Sequence, residues 1–146
     1  MKIRIKKLHP DAVIPKYQTS GAAAFDLVAL EDTTFFLGET KLVRTGLAID
    51  TGPGYQLEVR DRSSMALKTP MRVANSPGTV DSDYRGEVCV IMTMVTNNYG
   101  DIGYVIKKGD RMAQGAVMPA ILADIEVVDY LSDSSRGQNG FGSTGT

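Results

Sequence analysis

The sequence predicts an all-β domain, a sandwich, jelly roll or barrel, with a single short helical segment. Three observations carry that prediction. Apolar residues recur with period two in many short runs. Fifteen glycines break those runs at short intervals. Helical periodicity is nearly absent over 146 residues, a length suited to one domain with a core of its own.

The elements follow in chain order. KIRIKKL (Lys2–Leu8) alternates and sets Ile3 and Ile5 on one face. AFDLVAL, TTFFL and KLVRTGLAI follow, broken by Glu31-Asp32 and Gly38. YQLEVR (Tyr55–Arg60) alternates again. SSMALK (Ser63–Lys68) is the one plausible helical turn, with a Ser cap in front, helix formers behind and Pro70 to end it. EVCVIMTMV (Glu87–Val95) is a continuous apolar run of strand composition, which predicts a strand buried on both faces. YVIKK, RMAQGAVM and DIEVVDY complete the set of strands. From about Ser132 the chain turns to glycine and hydroxyl residues, so the expected division is one β domain over residues 1–131 and a mobile C-terminal arm over 132–146.

Composition narrows the functional classes. Net charge is −1, so there is no basic footprint for non-specific nucleic-acid binding. Cys89 is the only cysteine, which rules out an intramolecular disulfide and suits a reducing compartment. Its apolar setting predicts a small buried hydrophobe. His9 is the only histidine and reads as a loop residue beside Pro10, so one chain offers no His triad and no His-rich metal site. No run approaches the roughly 18–20 apolar residues of a membrane span. The basic, alternating N-terminus lacks a signal core, so the expectation is a cytoplasmic protein with no membrane contact.

Five stretches are poorly explained as scaffold. GAAAFDL (Gly21–Leu27) places Asp26 in an apolar strand, either at the strand end or pointed at something positive. VRDRSSMALK (Val59–Lys68) sets Arg62 before two serines and a helix start, the ingredients of a phosphate site or of a plain N-cap. NSPGTVDSDYRGE (Asn75–Glu87) reads as a polar β-hairpin loop, and its acidic spacing does not match an EF-hand. Asp81 there, beside apolar Val80, is a general-base candidate if a ligand closes over it. KKGDRMAQGAV (Lys107–Val117) puts Gln114 among apolar neighbours, where its amide needs a partner. The tail SSRGQNGFGSTGT (Ser134–Thr146) carries Arg136 and Phe141 in a segment that solubility alone does not require, and GFGSTG lacks the Lys of a Walker A loop.

In this order the five blocks resemble the five motifs of the homotrimeric dUTPase family. GAAAFDL is similar to AAGYDL, RSSMALK to RSGLA, and NSPGTVDSDYRGE to the Gly-x-x-Asp-x-Asp-Tyr-x-Gly pattern. KKGDRMAQ is nearly the fourth motif, and RGQNGFGSTG closely matches RGxGGFGSTG. The resemblance runs from Gly21 to Gly145 and implies a jelly-roll-like distorted β-barrel, a homotrimer, and Mg²⁺-dependent hydrolysis of dUTP to dUMP and pyrophosphate. It also implies composite sites, with the first, second and fourth motifs from one subunit, the third from another and the arm from the last. Such an enzyme supplies the dTTP precursor and keeps uracil out of DNA.

Roles carried over by position are expectations from that resemblance. Asp81 activates water for attack on the α-phosphorus. Tyr84 packs on the deoxyribose and leaves no room for a 2′-hydroxyl. Asn75, with the chain at Gly78, Thr79, Val80 and Cys89, lines the uracil pocket. Arg62, Ser63, Ser64 and Gln114 bind the α- and β-phosphates. Asp26 holds metal-bound water in the outer shell of Mg²⁺. Arg136 meets the γ-phosphate, Phe141 stacks on uracil, and Gly142, Ser143 and Thr144 close on the terminal phosphate. The chain departs from the family pattern at Ala24 and Phe25, at Ser64, at Thr79-Val80 and at Asn139. The run from Val88 to Ile106 implies an extended hairpin loop around Asn97–Gly103. Two alternatives accompany this reading: a dCTP deaminase-like enzyme, which shares much of the fourth motif, and a regulatory protein-binding module of the same fold, as in phage-type relatives that act in a host cytoplasm.

Overall fold

The computed structural model describes residues 1–96 and 102–140. It is mostly strand, with a single short helix among the described residues. In chain order the elements are β1 (Arg4–Lys7), β2 (Phe25–Val28), β3 (Thr33–Phe35), β4 (Thr40–Arg44), β5 (Leu47–Asp50), β6 (Tyr55–Asp61), α1 (Ser63–Lys68), β7 (Met71–Val73), β8 (Gly78–Val80), β9 (Cys89–Met94), β10 (Tyr104–Ile106) and β11 (Arg111–Pro119).

The described strands form four antiparallel groups: β2-β11-β6-β8, β4-β9-β7, β1-β5 and β10-β3. One core joins them. Phe25, Leu27, Leu57 and Met112 from the four-stranded sheet meet Val43, Met71, Met92 and Met94 from the three-stranded one, with Phe35 and Ile106 closing the end. Ile5 of β1 and Ile3 just before it pack against this core, as their shared face predicts. KLVRTGLAI splits into β4 and β5 at Gly46, whose φ of 70° is left-handed. A Cβ there would also lie 2.9 Å from Ala12 Cβ, so only glycine turns this corner without strain.

The structure corrects several expectations. β9 is not buried on both faces. Val90, Met92 and Met94 are buried, whereas Cys89, Ile91 and Thr93 are half-buried, because their side of the sheet faces a cleft rather than core. Asn75–Glu87 is not a hairpin: β8 pairs with β6, and β9 pairs with β4 and β7, so the block crosses from one sheet to the other. DIEVVDY forms no strand, since no strand among the described residues pairs with it. Ala120 N–H bonds to Gly54 C=O (2.9 Å), and residues 121–139 beyond it are exposed. Ser63 is not the helix cap. Arg62 takes that place in extended conformation, without a side-chain cap bond. Of the Asn97–Gly103 loop, residues 97–101 lie outside the described residues.

Candidate active site

Two groups of singled-out residues come together in separate places. The first surrounds a cleft of about 290 Å³ lined by Asn75, Gly78, Thr79, Val80, Asp81 and Tyr84 on one side, and by Cys89, Ile91 and Leu42 on the other. β6 builds one wall. Its end residue Asp61 accepts the Val73 N–H (2.7 Å) and donates its own N–H to Ser76 Oγ (3.3 Å), which anchors the turn that presents Asn75. Gly78 is buried against that turn, where a Cβ would lie 2.9 Å from Asn75 Nδ2. Asp81 follows β8 directly and is exposed, and its carbonyl accepts the Tyr84 N–H (3.2 Å) in a tight turn.

Tyr84 is held by its hydroxyl, which donates to the Glu87 carbonyl (3.1 Å). The Glu87 carboxylate in turn accepts the Gly46 N–H (2.7 Å) and pairs with Arg44 (3.1 Å). That pairing raises the Arg44 pKa above its ordinary value. Thr45 Oγ1 donates to the Val88 carbonyl (2.6 Å) beside it. The crossing segment is therefore clamped onto the β4–β5 corner, which keeps the cleft open without any strand pairing between β8 and β9.

Cys89 lines the cleft as a free, half-buried thiol rather than a core residue. Burial pushes its pKa up, the Glu87 carboxylate adds to the rise, and Arg44 opposes it.

The second group centres on Asp26, which is 6% exposed on β2. Arg62 Nε donates to its Oδ1 (3.1 Å), Arg111 Nη1 to its Oδ2 (3.2 Å), and Gln114 Nε2 reaches Oδ1 at 3.5 Å. Arg62 Nη1 also donates to Ser64 Oγ. The strand carboxylate thus points at positive charge, and a buried charge needs that pairing. Ser64 sits inside α1, so a side chain at this departure position meets no left-handed backbone. Ser63 is exposed at the first turn of α1.

The two groups share no lining residue and no direct side-chain bond. Arg136 joins neither, since its Nε donates locally to the Asn139 carbonyl (2.9 Å). Phe141, Gly142, Ser143 and Thr144 lie outside the described residues. Two residues gain importance that the sequence reading did not assign, Glu87 and Arg111. Both belong to recognised blocks, but their partners are 41 and 85 residues away in the chain, which no local pattern reveals.

Among the described residues no group of three or more His, Cys, Asp or Glu is placed to hold a metal ion. No helix there is long and apolar enough to cross a membrane.

The dUTPase family model matches residues 10–145. The deoxyuridine 5′-triphosphate nucleotidohydrolase of Nautilia profundicola is 48% identical over 145 residues, covering 99% of each chain. That of Wolinella succinogenes is 50% identical over 145 residues, 99% of this chain and 95% of its own. Among solved structures, a mutant dUTPase of Staphylococcus bacteriophage 80alpha with dUpNHpp superposes with a TM-score of 0.91 at 22% identity over 99% of each chain. A mutant dUTPase from phage phi11 of S. aureus, described for its structural Mg(II) ion, superposes at 0.82 with 18% identity over 91% of this chain. The ordered motifs, the full-length identity and the shared fold lead to one conclusion: this chain belongs to the dUTPase family.

Proposed function

We propose that this chain hydrolyses dUTP to dUMP and pyrophosphate, with Asp81 as the general base. The observation that carries the reading is the convergence of Asn75, Gly78, Thr79, Val80, Asp81 and Tyr84 on one cleft of about 290 Å³. That volume is at the low end for small-ligand sites, roughly 300–1,000 Å³. It suits a nucleoside whose phosphates extend elsewhere. The Asp26 group, with Arg62, Ser64 and Gln114, offers the donors that phosphates require.

In this mechanism the base enters between Asn75 and the Cys89 side, and Tyr84 lies under the sugar. Buried donor and acceptor groups left unpaired by cytosine reject it, and discrimination of this kind reaches roughly 10⁴–10⁵-fold. Asp81 takes a proton from water as the water oxygen attacks the α-phosphorus. The bond from that phosphorus to the bridging oxygen breaks, and pyrophosphate leaves with the electron pair. Arg62, Ser63, Ser64 and Gln114 hold the α- and β-phosphates in line.

A Mg²⁺ here would draw its inner ligands from phosphate and water, as this ion commonly does. Asp26 would accept hydrogen bonds from the metal's water shell. When bound, the metal offsets charge on the phosphate oxygens.

The reading includes a homotrimer with shared sites. The cleft and the Asp26 group are separate in one chain, so the nucleoside and phosphate contacts need not come from the same subunit. Ile121, Leu122, Ile125 and Val127 are all at least 90% exposed, an apolar run that a neighbouring subunit would cover. Arg136, Phe141, Gly142, Ser143 and Thr144 then close over the phosphates and uracil as a lid. The expected setting is cytoplasmic.

The test is Asp81→Asn assayed for pyrophosphate release from dUTP. Turnover should fall by about 10²–10⁴-fold with dUTP affinity retained. Near wild-type kcat would refute the base assignment. Ammonia release from dCTP by the wild-type protein would refute the substrate.

A further inference from the structure

β11 begins with an irregularity that decides which side chain meets Asp26. Gln114 lies opposite Asp26 and Ala113 opposite Leu27, but the next paired residue, opposite Val28, is Arg111. Met112 is therefore an extra residue, a β-bulge. Residues directly opposite one another share a face, and Asp26 and Val28 share theirs. An unbroken ladder would set Met112 opposite Val28, on the face of Asp26 and Gln114. The bulge sets Arg111 there instead, with its Nη1 3.2 Å from Asp26 Oδ2, and leaves Met112 fully buried in the core.

The bulge is not a frayed end. Main-chain bonding resumes beyond it, with Ala29 N–H to Asp110 C=O and Gly109 N–H to Ala29 C=O, both 2.9 Å. The approach is also fixed, because Asp32 accepts the Lys108 N–H (2.8 Å) and Asp110 accepts the Lys107 N–H (2.9 Å).

The charge count gives this aim a purpose. Arg62 and Asp26 alone would cancel, and a polyphosphate would meet a neutral pair. Arg111 adds a second guanidinium on the other carboxylate oxygen, so the group carries a net positive charge. It also holds Asp26 by Oδ2 while Arg62 takes Oδ1, which fixes the carboxylate that orients the Arg62 fork. We propose that Arg111, aimed by the bulge at Met112, is a positioning residue for the polyphosphate site: it offsets Asp26 so that Arg62 remains available to phosphate. The proposal rests on the dUTP-hydrolase reading above.

The test compares full-length wild type, Arg111→Gln and Arg111→Lys. Binding of dUpNHpp and of 2′-deoxyuridine is measured in EDTA, together with kcat and KM for dUTP. In Arg111→Gln the Kd for dUpNHpp should rise about tenfold, as expected for a lost, partly screened cation beside phosphates. Its salt dependence should flatten, while the deoxyuridine Kd stays within about twofold because that ligand carries no phosphate. KM for dUTP should rise more than kcat falls, and Arg111→Lys should recover most of the affinity because it keeps the charge. Equal weakening of both ligands would assign Arg111 a purely structural role and overturn the inference, as would an unchanged dUpNHpp Kd. Wild-type protein that neither binds dUpNHpp nor hydrolyses dUTP would instead overturn the functional reading.

Discussion

Gly86→Ala isolates the proposed sugar gate. A Cβ at Gly86 would lie 2.3 Å from Tyr84 Oη, 2.5 Å from Cζ and 3.0 Å from Cε2. The phenol packs over the space that a side chain at residue 86 would fill. Gly86 is not among the glycines with positive φ, so the backbone accepts alanine and the ring must yield. Tyr84 is 45% exposed, and it can swing outward at the loss of its hydrogen bond to the Glu87 carbonyl. A bond of that kind contributes about 1 kcal/mol net. The stiffer unfolded chain of an alanine variant returns about 0.4–1 kcal/mol. Melting should therefore drop by no more than about 3 °C. Selectivity should change far more. Steric exclusion of one small group by a close-fitting wall is worth about 1–3 kcal/mol, or roughly 10–200-fold. The ratio of kcat/KM for UTP to that for dUTP should rise at least about tenfold, measured by pyrophosphate release with each nucleotide. A ratio within about twofold of wild type, with an unchanged melt, would refute both the packing of Tyr84 on Gly86 and its role under the sugar.

Other predictions follow from the same geometry. The raised pKa of Cys89 keeps its thiol protonated near neutral pH, so iodoacetamide should label it slowly there and faster only at alkaline pH. Bound dUMP should slow the labelling further, because Cys89 lines the cleft. The sign for stability follows from the same shift. Below the thiol pKa of the unfolded chain both states hold the proton and the contribution is intact. As pH rises, the unfolded chain loses its proton first, and stability falls until the folded thiol has also titrated. Cys89→Ala should flatten that alkaline decline in thermal melts. A chain ending at Ser132 should fold with a melting temperature close to that of the full protein, since residues 121–139 are exposed and Arg136 bonds locally to Asn139. It should hydrolyse dUTP far more slowly. Full activity would leave Arg136 and Phe141 without a role.

Local sequence carried the strands whose two faces differ. β1 and β6 alternate because one face meets the core and the other meets water, and period two records that contrast. The same logic misread two segments. Glu87–Val95 is apolar on both faces, yet one face lines a cleft, and composition does not separate a ligand's surface from a core. Asp124–Tyr130 has strand composition but lacks a partner strand among the described residues, and pairing is a property of the fold. β7 and β8, three residues each, are not among the runs read from the sequence.

The candidate site divides in the same way. Its residue types and their order along the chain are matters of sequence, and so is family membership, because motif chemistry is carried by identities at short spacing. Asp26 was also legible as a carboxylate needing a positive partner, since an ionised group in an apolar strand must find one. Which cation answers it was decided by tertiary structure. A one-residue bulge turned Arg111 rather than Met112 toward it, and Arg62 arrived from the end of β6. Likewise Glu87 clamps the cleft through Arg44 and Gly46 across the β4–β5 corner. Charge pairing and register act between residues distant in the chain, so these contacts exist only once the sheets are in place.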